Sequence, residues 1–298
     1  MAFNVTALPD YVEQNKGELL TKAALGAETL DVIETVLNVK HKSALNKLET
    51  TAPFQSAKTC GFNASGDDKI SQRILEVFPI KVNKEYCEKD LLEKWTNQDL
   101  KIAAGRETLP FEQKFMDENN KAINANLDKL IWQGDTELSI TGFKDVITKA
   151  NGAVEVSLKA GSTMADLVDE TYAAIPTAVL AYDPVIFMSY SDFRKYIQVL
   201  NSTCCANRPI VDANTSELKY MGDSRVTIKP VAGLEGVGKV YAGSRHNFVY
   251  GTDVEDSQNT YKFWFSDDAD VFRYKVVFTA GVQVAFPDEL VVGSIAAA

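Results

Sequence analysis

Hydrophobic residues between Leu109 and Gly134 recur at steps of three and four positions, the spacing of one face of a helix. We therefore predict a single amphipathic helix over 109–134, about 36 Å long. Pro110 fits its first turn and Gly134 fits a left-handed cap at its end. Its apolar stripe consists of Phe111, Phe115, Ile123, Leu127, Leu130 and Ile131. Its polar, solvent-facing side is predicted to consist of Glu112, Gln113, Lys114, Asp117, Glu118, Asn120, Lys121, Asn124 and Asp128.

The chain before this helix shows weaker patterns. Residues 1–50 carry intermittent apolar steps, which predict a helical arm lying on its own domain or on a neighbouring chain. Residues 51–82 hold two extended runs, 54–62 and 70–82, around a turn-rich tip, which predicts a β-hairpin. Because this hairpin has few apolar residues, it should either pack on the body or grip another chain. A short helix is predicted over 84–100.

The chain after the long helix alternates between strands and helices. A helix is predicted over 162–175, with Ser162 or Thr163 as its N-cap. The nearly continuous apolar run 184–189 predicts a buried strand, and a helix over 190–200 follows it directly.

The last third of the chain is dominated by extended patterns. Residues 201–224 are polar and predict an exposed loop. Residues 225–292 predict an antiparallel meander of five strands with turns at 266–270 and 279–281. Together with the helices before it, this meander predicts an α+β fold.

Composition narrows the functional classes. The 298-residue chain has a net charge of −10 and a pI of about 4.9, which disfavours non-specific nucleic-acid binding. We find no apolar stretch long enough for a membrane span and no signal-peptide pattern, so we expect a cytoplasmic product without a membrane partner. The four cysteines, Cys60, Cys87, Cys204 and Cys205, show no C-x-x-C spacing and are expected to be reduced thiols.

The segment Gly233–Lys239 almost matches a phosphate-binding loop. The motif requires Ser or Thr after the lysine to hold magnesium, whereas this chain has Val240. The motif also requires a following helix, whereas residues 239–242 predict a strand. A tight hairpin is therefore the better interpretation of this segment.

Other candidate chemistry is weaker. Cys204 and His246 could form a nucleophile–base pair, but neither has a flanking signature. Asp267, Asp268 and Asp270 lack the spacing of a calcium loop and predict a solvated turn. We therefore predict no catalytic residues, no cofactor and no metal, and we favour a structural protein over an enzyme.

The elements follow the order of a loose arm, a hairpin, a long helix, an α/β unit and a return to strands. Short distinctive segments accompany them: Cys60–Gly66 with Gln72-Arg73, Cys87–Leu91, Leu109–Gln113, Ile131–Asp135, Pro184–Ser189 and Val249–Asp253. In this order and in these segments the chain resembles the major capsid protein of tailed double-stranded DNA bacteriophages, which has the Hong Kong 97-type fold. The segment Cys60–Gly66 with Gln72-Arg73 resembles capsid proteins of phages of gut Bacteroidales in particular.

The resemblance implies a domain layout. Residues 1–50 would form the N-terminal arm and 51–82 the extended loop. Residues 83–139 and 251–298 would form the peripheral domain, which includes the spine helix 109–134. Residues 140–250 would form the axial domain.

The resemblance also implies a function in assembly. The chain would form hexamers and pentamers and build an icosahedral head shell around phage DNA, without binding that DNA sequence-specifically. Its partners would be copies of itself, a portal and, in some phages, separate scaffolding or decoration proteins. It would be found in the virion after assembly in the host bacterial cytoplasm. Some members of the family cross-link covalently, and Lys69 is a candidate lysine, although no asparagine or acid matches that motif.

Contacts between subunits are the predicted functional sites. The first set, at the hairpin tip, comprises Gly66, Asp67, Asp68 and Lys69; the second, on the polar face of the spine helix, comprises Glu112, Asp117 and Lys121. An encapsulin-type nanocompartment, which shares the fold, is the nearest alternative. A nucleotide-dependent enzyme using Gly233–Lys239 is the remote one.

Overall fold

The protein is described by a computed structural model that covers residues 7–54, 56, 65–87, 89–90, 111–202, 218–253 and 261–296. Its α-helices are α1 (Ala7–Leu25), α2 (Phe111–Gln133), α3 (Phe143–Val146), α4 (Met164–Ala174) and α5 (Tyr190–Ser202). Its strands are β1 (Glu34–Val36), β2 (Lys42–Thr50), β3 (Asp68–Glu76), β4 (Phe78–Cys87), β5 (Val154–Leu158), β6 (Pro184–Ser189), β7 (Leu218–Tyr220), β8 (Asp223–Val231), β9 (Lys239–Ser244), β10 (Phe248–Gly251), β11 (Tyr261–Ser266), β12 (Val271–Val284) and β13 (Val291–Ile295). Short 3-10 turns connect several of them, at Glu28–Asp31, Lys149–Asn151, Val179–Ala181, Ala232–Leu234, Arg245–Asn247 and Pro287–Glu289.

The predicted long helix is present as α2. It ends at Gly134, whose φ of +70° and N–H···O bond of 2.9 Å to Leu130 form the expected left-handed cap. Its C-terminal end packs where two sheets meet. There the ring of Trp132 lies 5.1 Å from that of Phe187 in β6 and 6.2 Å from that of Phe248 in β10.

The first sheet has five strands and is centred on β12. Strands β11 and β4 pair antiparallel with the first part of β12, and β10 pairs with its last part and with β1. The turn predicted at 279–281 is wrong, because β12 runs straight through these residues. At this point β12 stops pairing with β4 and begins to pair with β10. Because its hydrogen bonding to a partner strand continues, its backbone stays extended.

The second sheet has six strands in the order β5-β13-β9-β6-β8-β7. The predicted meander is wrong here, because β8 runs parallel to β6 and β13 runs parallel to β5. The strand predicted at 184–189 is confirmed as β6, with all six residues buried. The helix predicted at 162–175 is confirmed as α4, which Thr163 caps through a capping box with Asp166.

The sheets divide the chain differently from the predicted ranges 83–139, 140–250 and 251–298. Strand β13 lies in the six-stranded sheet, although it follows residue 251, and most of β10 precedes that residue but lies in the five-stranded sheet. Strands β10 and β13 lie in these sheets because they pair with strands that are distant in sequence. Local sequence patterns do not reveal such pairing.

The N-terminal segment is packed more firmly than the sequence predicted. Helix α1 contacts α2 and β11, and its residues Leu19, Leu20, Ala23 and Ala24 are buried on its own chain. The helix does not extend through 1–50, because residues 42–50 form strand β2. The helix predicted over 84–100 is wrong at its start, where Lys84 to Cys87 belong to β4, and most of the rest lies outside the described residues.

None of the helices among the described residues combines the length and the hydropathy needed to cross a membrane.

Candidate functional site

The β2–β3 hairpin is the most exposed element of the described chain. Nine residue pairs join its strands, from Lys42 opposite Glu76 to Thr50 opposite Asp68. All described residues from Thr50 to Gln72 are exposed. The outer half of the hairpin therefore buries almost nothing on its own chain, although an isolated two-stranded hairpin is marginally stable at best in water.

One face of the hairpin displays apolar side chains to solvent. Leu48 and Ile70 face each other across the strands and are 63% and 74% exposed, and Ile74 on the same face is 53% exposed. Between them the Gln72 amide donates to Asn46 Oδ1 at 2.9 Å. Such an exposed patch on a regular strand pair is typical of a protein interaction surface.

The hairpin is anchored near its base. Leu75 and Val77 are buried against Val249 in a small separate core. Farther out, the Lys47 ammonium lies 3.1 Å from Asp288 and 4.7 Å from the centre of the Phe286 ring. These contacts fix the direction in which the outer half projects.

The end of the hairpin is closed by a clasp between Thr51 and Asp67. The Thr51 N–H donates to the Asp67 carbonyl at 3.0 Å, and the Asp67 N–H donates to Thr51 Oγ1 at 2.8 Å. The predicted tip residues Gly66 and Asp67 lie in this clasp, whereas Asp68 and Lys69 belong to strand β3 and pair with Thr50 and Glu49. The partner strand of β3 is 42–50, and most of the predicted strand 54–62 lies outside the described residues.

The predicted residues on α2 lie away from the hairpin clasp. Lys121 is exposed, and Glu112 and Asp117 are half-buried. The carboxylate of Asp117 lies 3.9 Å from the ammonium of Lys22 in α1, so it already has a cationic partner within the chain. The structure therefore does not bring the two predicted sets together within one chain.

The predicted polar side of α2 is wrong at two positions, Asn120 and Asp128, which are 3% and 1% exposed. Asn120 accepts a hydrogen bond from the buried Tyr261 hydroxyl at 3.2 Å. The hydropathy pattern missed these residues because α1 and the turn Ala232–Leu234 cover this side of the helix. No local signal in the sequence reports such coverage.

Asp128 is the centre of a buried junction. Its carboxylate accepts from the N–H and hydroxyl of Thr29 and, at 2.6 Å, from the N–H of Gly233. The indole N–H of Trp132 donates to Thr29 Oγ1 at 2.8 Å. One carboxylate thus joins the segment after α1, the long helix and the turn that enters β9.

This junction explains the glycine-rich segment Gly233–Lys239. A Cβ on Gly233 would lie 2.2 Å from the Asp128 carbonyl oxygen, so glycine allows the close approach to α2. Lys239 begins strand β9, as predicted, and no helix follows to hold phosphates. The tight hairpin predicted for this segment is wrong, because β6 lies between β8 and β9 and pairs with both. The segment packs two parts of the fold together and lacks the geometry of a nucleotide site.

We expect Gly233→Ala to lower the free energy of unfolding by about 1–3 kcal/mol, because its methyl group would push the turn away from α2. Urea denaturation measures the change. The matched control is Gly17→Ala in α1, where a Cβ meets nothing within 4 Å and helix propensity should add about 0.5–1 kcal/mol of stability. Equal effects of the two substitutions would contradict the close-packing explanation.

A second polar cluster lies at the β7–β8 end of the six-stranded sheet. The Arg225 guanidinium binds the Asp223 carboxylate at 2.6–3.1 Å, and Tyr172 donates to the same carboxylate at 3.2 Å. The hydrogen bonds from Arg225 lower the pKa of Asp223 to about 2. This arrangement orders the edge of the sheet and includes no nucleophile or base poised for a reaction.

The pH dependence of stability follows from this lowered pKa. The interaction contributes fully above the unfolded-state pKa of about 4 and is lost as the pH falls toward 2. We therefore expect Asp223→Asn to destabilise the chain at pH 6 and to have a smaller effect at pH 2.5, measured by urea denaturation. A constant difference across this pH range would contradict the role of the Arg225–Asp223 pair.

The remaining sequence candidates do not form a site. Cys204 lies outside the described residues, so the Cys204–His246 pair is not placed. His246 Nδ1 lies 3.0 Å from Glu34 on the exposed surface. Asp267, Asp268 and Asp270 form an exposed turn, as predicted. Within the described ranges there is no group of His, Cys, Asp and Glu side chains that could hold a metal ion.

Solved structures with similar folds are virus-particle proteins. A chain from Gordonia phage Cozz matches with a TM-score of 0.62 and 11% identity, over 91% of this chain and 86% of that one. A chain of the satellite phage P4 procapsid, which includes the size determination protein, matches with a TM-score of 0.60 and 11% identity over 99% and 92%. A virus-like particle from Pyrococcus furiosus matches with a TM-score of 0.54 and 8% identity over 96% and 99%.

The sequence itself matches no protein-family model and no curated protein. Similarity at this level of identity establishes the fold, and the chain has the mixed α+β, Hong Kong 97-type fold of phage capsid proteins. The fold expected from the order of sequence elements is therefore confirmed.

Proposed function

We propose that this chain is the major capsid protein of a tailed phage, a subunit that assembles into an icosahedral head shell. The observation that carries the proposal is the projecting β2–β3 hairpin on a capsid fold. Its outer half exposes Leu48 and Ile70, which become buried if the hairpin lies on a neighbouring subunit. Function in this proposal comes from interfaces and requires no catalytic residue.

The geometry suits repeated contacts between identical chains. A hairpin that leaves one subunit and binds a different surface on the next makes a heterologous contact, which closes into rings when the rotation permits. Hexamers and pentamers are such rings. We assign the β2–β3 hairpin with its connection, residues 42–76, as the extended loop. Residues 78–82 of the range 51–82 that the sequence suggested belong to β4 of the five-stranded sheet.

The domain names follow from the two sheets. We propose that the five-stranded sheet with α2 is the peripheral domain and that the six-stranded sheet with α4 and α5 is the axial domain. The polar positions on α2, which are the half-buried Glu112 and Asp117 and the exposed Lys121, then offer a second contact surface between subunits. The Asp128 junction joins the two domains within a subunit.

The net negative charge of the chain is compatible with a shell that encloses DNA. With a net charge of −10, a shell of this protein would not hold packaged DNA tightly through non-specific charge. We propose that the shell encloses double-stranded DNA in the virion and is assembled in the host cytoplasm. A portal, and scaffolding or decoration proteins where present, would complete the particle.

Expression of the chain alone, followed by negative-stain electron microscopy, tests the proposal. We expect closed shells or isolated hexamer and pentamer rings. A uniform monomer, both alone and when co-expressed with the products of its neighbouring genes, would contradict the proposal.

An encapsulin-type nanocompartment is the second candidate, since a virus-like particle also shares the fold, at the lower TM-score of 0.54. The genes beside this one distinguish the two. Portal and terminase genes favour a phage head, whereas a neighbouring enzyme packaged inside purified shells favours a nanocompartment.

A further inference from the structure

We propose that the outer face of the five-stranded sheet binds an acidic segment of a separate partner protein, with Trp264 as the apolar anchor. We call this surface, formed by Lys81, Lys262, Trp264, Arg273 and Lys275, the basic sheet face. The inference goes beyond the proposed function, because it concerns a surface other than the hairpin and α2. It combines a like-charge pair, an exposed aromatic ring and a local charge opposite to that of the chain.

The alternation of side chains along the strands creates this face. Along β12, Phe272, Tyr274 and Val276 are buried in the core, so Arg273 and Lys275 lie on the opposite face of the sheet. Strands β11 and β4 flank this part of β12, and residues directly opposite each other in an antiparallel pair share a face. The basic sheet face therefore extends from β11 across β12 to β4.

Two lysines lie directly opposite each other on this face. Lys262 of β11 is the register partner of Lys275 of β12. Like charges in this position destabilise an antiparallel pair, because their Cβ atoms are only about 5 Å apart. Lys81 of β4 lies diagonally across from Lys275, at a typical separation of about 7–8 Å. Within the part of the chain that the structure describes, these three ammonium groups have no ion-pair partner, so an anionic ligand would relieve their repulsion.

Trp264 adds an apolar anchor beside these charges. It is 38% exposed, whereas Trp132 is completely buried. Trp264 lies opposite Arg273, whose guanidinium is 3.0 Å from the Glu85 carboxylate. Tryptophan and arginine are enriched among the residues that contribute most of the binding energy in protein interfaces. The middle of the face therefore has the composition of a protein interface, and lysines flank it.

The charge of this face is opposite to that of the whole chain. The face carries four cationic side chains and one carboxylate, that of Glu85, whereas the chain has a net charge of −10. An acidic ligand is attracted to this face and repelled by most of the remaining surface. Complementary charges therefore direct an acidic partner to the sheet and fix its orientation there.

An acidic protein segment fits this face better than a nucleic acid or a second copy does. Salt-sensitive DNA binding involves about six to ten phosphate contacts, more than four cationic side chains provide, and Glu85 would repel a phosphate. The proposed contact surface between copies on α2 belongs to the other side of the sheet. There Lys84 and Tyr86 of β4 donate hydrogen bonds to Asn119 of α2.

Fluorescence anisotropy of a labelled glutamate peptide tests the inference on the purified full-length chain. We expect binding at low ionic strength that weakens as salt is added, because salt screens exposed charges. Lys262→Glu combined with Lys275→Glu should weaken binding at least about tenfold, since it places like charges against the peptide. The matched control, Lys149→Glu with Lys159→Glu, makes the same change in net charge at exposed positions beside the six-stranded sheet and should bind like the wild type.

The neutral variant Lys275→Gln separates binding from folding. It removes the like-charge pair with Lys262, so we expect a higher melting temperature together with weaker peptide binding. Trp264→Ala should weaken binding about tenfold, and Trp264→Phe should retain most of it. A lower melting temperature of Lys275→Gln with unchanged binding would show that this lysine serves the fold, and it would overturn the inference.

Three further outcomes would overturn the inference. The first is equal peptide binding by the Lys262→Glu/Lys275→Glu variant and its control. The second is binding of duplex DNA without binding of the peptide, which would indicate a nucleic acid. The third is loss of shells from that variant while its control assembles, which would identify a second copy as the occupant. Failure of the wild-type chain to assemble would overturn the proposed function and leave this inference intact, because peptide binding is measured on the subunit itself.

Discussion

Replacement of residues 51–67 by a two-residue Asn-Gly turn is expected to leave a folded subunit that forms no shells. Thr50 and Asp68 are paired partners in the antiparallel β2–β3 ladder, so a tight turn can join them without disturbing the strands. The described residues of the removed segment, 51–54, 56 and 65–67, are exposed and contribute nothing to the core. Electron microscopy and the sedimentation coefficient report assembly, and thermal unfolding reports the fold.

The control for this deletion is a shortened exposed turn at 267–270 between β11 and β12, which also removes acidic surface residues. We expect this second variant to assemble. Shells of normal size from the 51–67 variant would show that the hairpin end has no role in assembly. An unfolded product would show that the loop belongs to the subunit's own folding unit.

Asp128→Ala is expected to lower the free energy of unfolding by about 3 kcal/mol or more. The substitution leaves the buried N–H groups of Thr29 and Gly233 without their acceptor, and each unsatisfied group costs about 1–3 kcal/mol. Chemical denaturation of the full chain measures the loss. Hydrogen exchange should also become faster at both N–H groups.

The control on the same helix is Asp117→Ala. That carboxylate is 42% exposed and lies 3.9 Å from Lys22, a separation at which a surface ion pair contributes about 0–1 kcal/mol. We expect a change of less than about 1 kcal/mol in its free energy of unfolding. A similarly small change for Asp128→Ala would mean that the buried junction does not stabilise the fold.

Several elements could be predicted from local sequence. The helix α2, the buried strand β6 and the capped helix α4 each have a pattern that is complete within one segment. The periodicity of α2, the apolar run of β6 and the cap residues of α4 each predict the element without information from the rest of the chain. The order of these elements was sufficient to indicate the fold.

The pairing of strands was harder to predict from the sequence. The sequence predicted the hairpin but placed its first strand at 54–62, because β2 is polar and its residues show little alternation. The turn predicted within β12 was also wrong, and β13 lies in the six-stranded sheet beside strands that are distant in sequence. Each depends on a partner strand far away in sequence, which supplies hydrogen bonds that no local pattern encodes.

In the candidate site, too, the sequence predicted the positions of some residues correctly and missed others. Gly66 and Asp67 were predicted at the hairpin end and lie there, whereas Asp68 and Lys69 lie in β3. Their role in assembly remains a proposal.

The sequence by itself determined the long helix, the main helical caps and the α+β character, because these depend on side chains close together along the chain. Only the tertiary structure decided that Asp128 is buried, that Gly233 must approach α2 and that the outer hairpin is left exposed. Burial depends on which surfaces meet when distant segments pack, and hydropathy along a single segment does not contain that information.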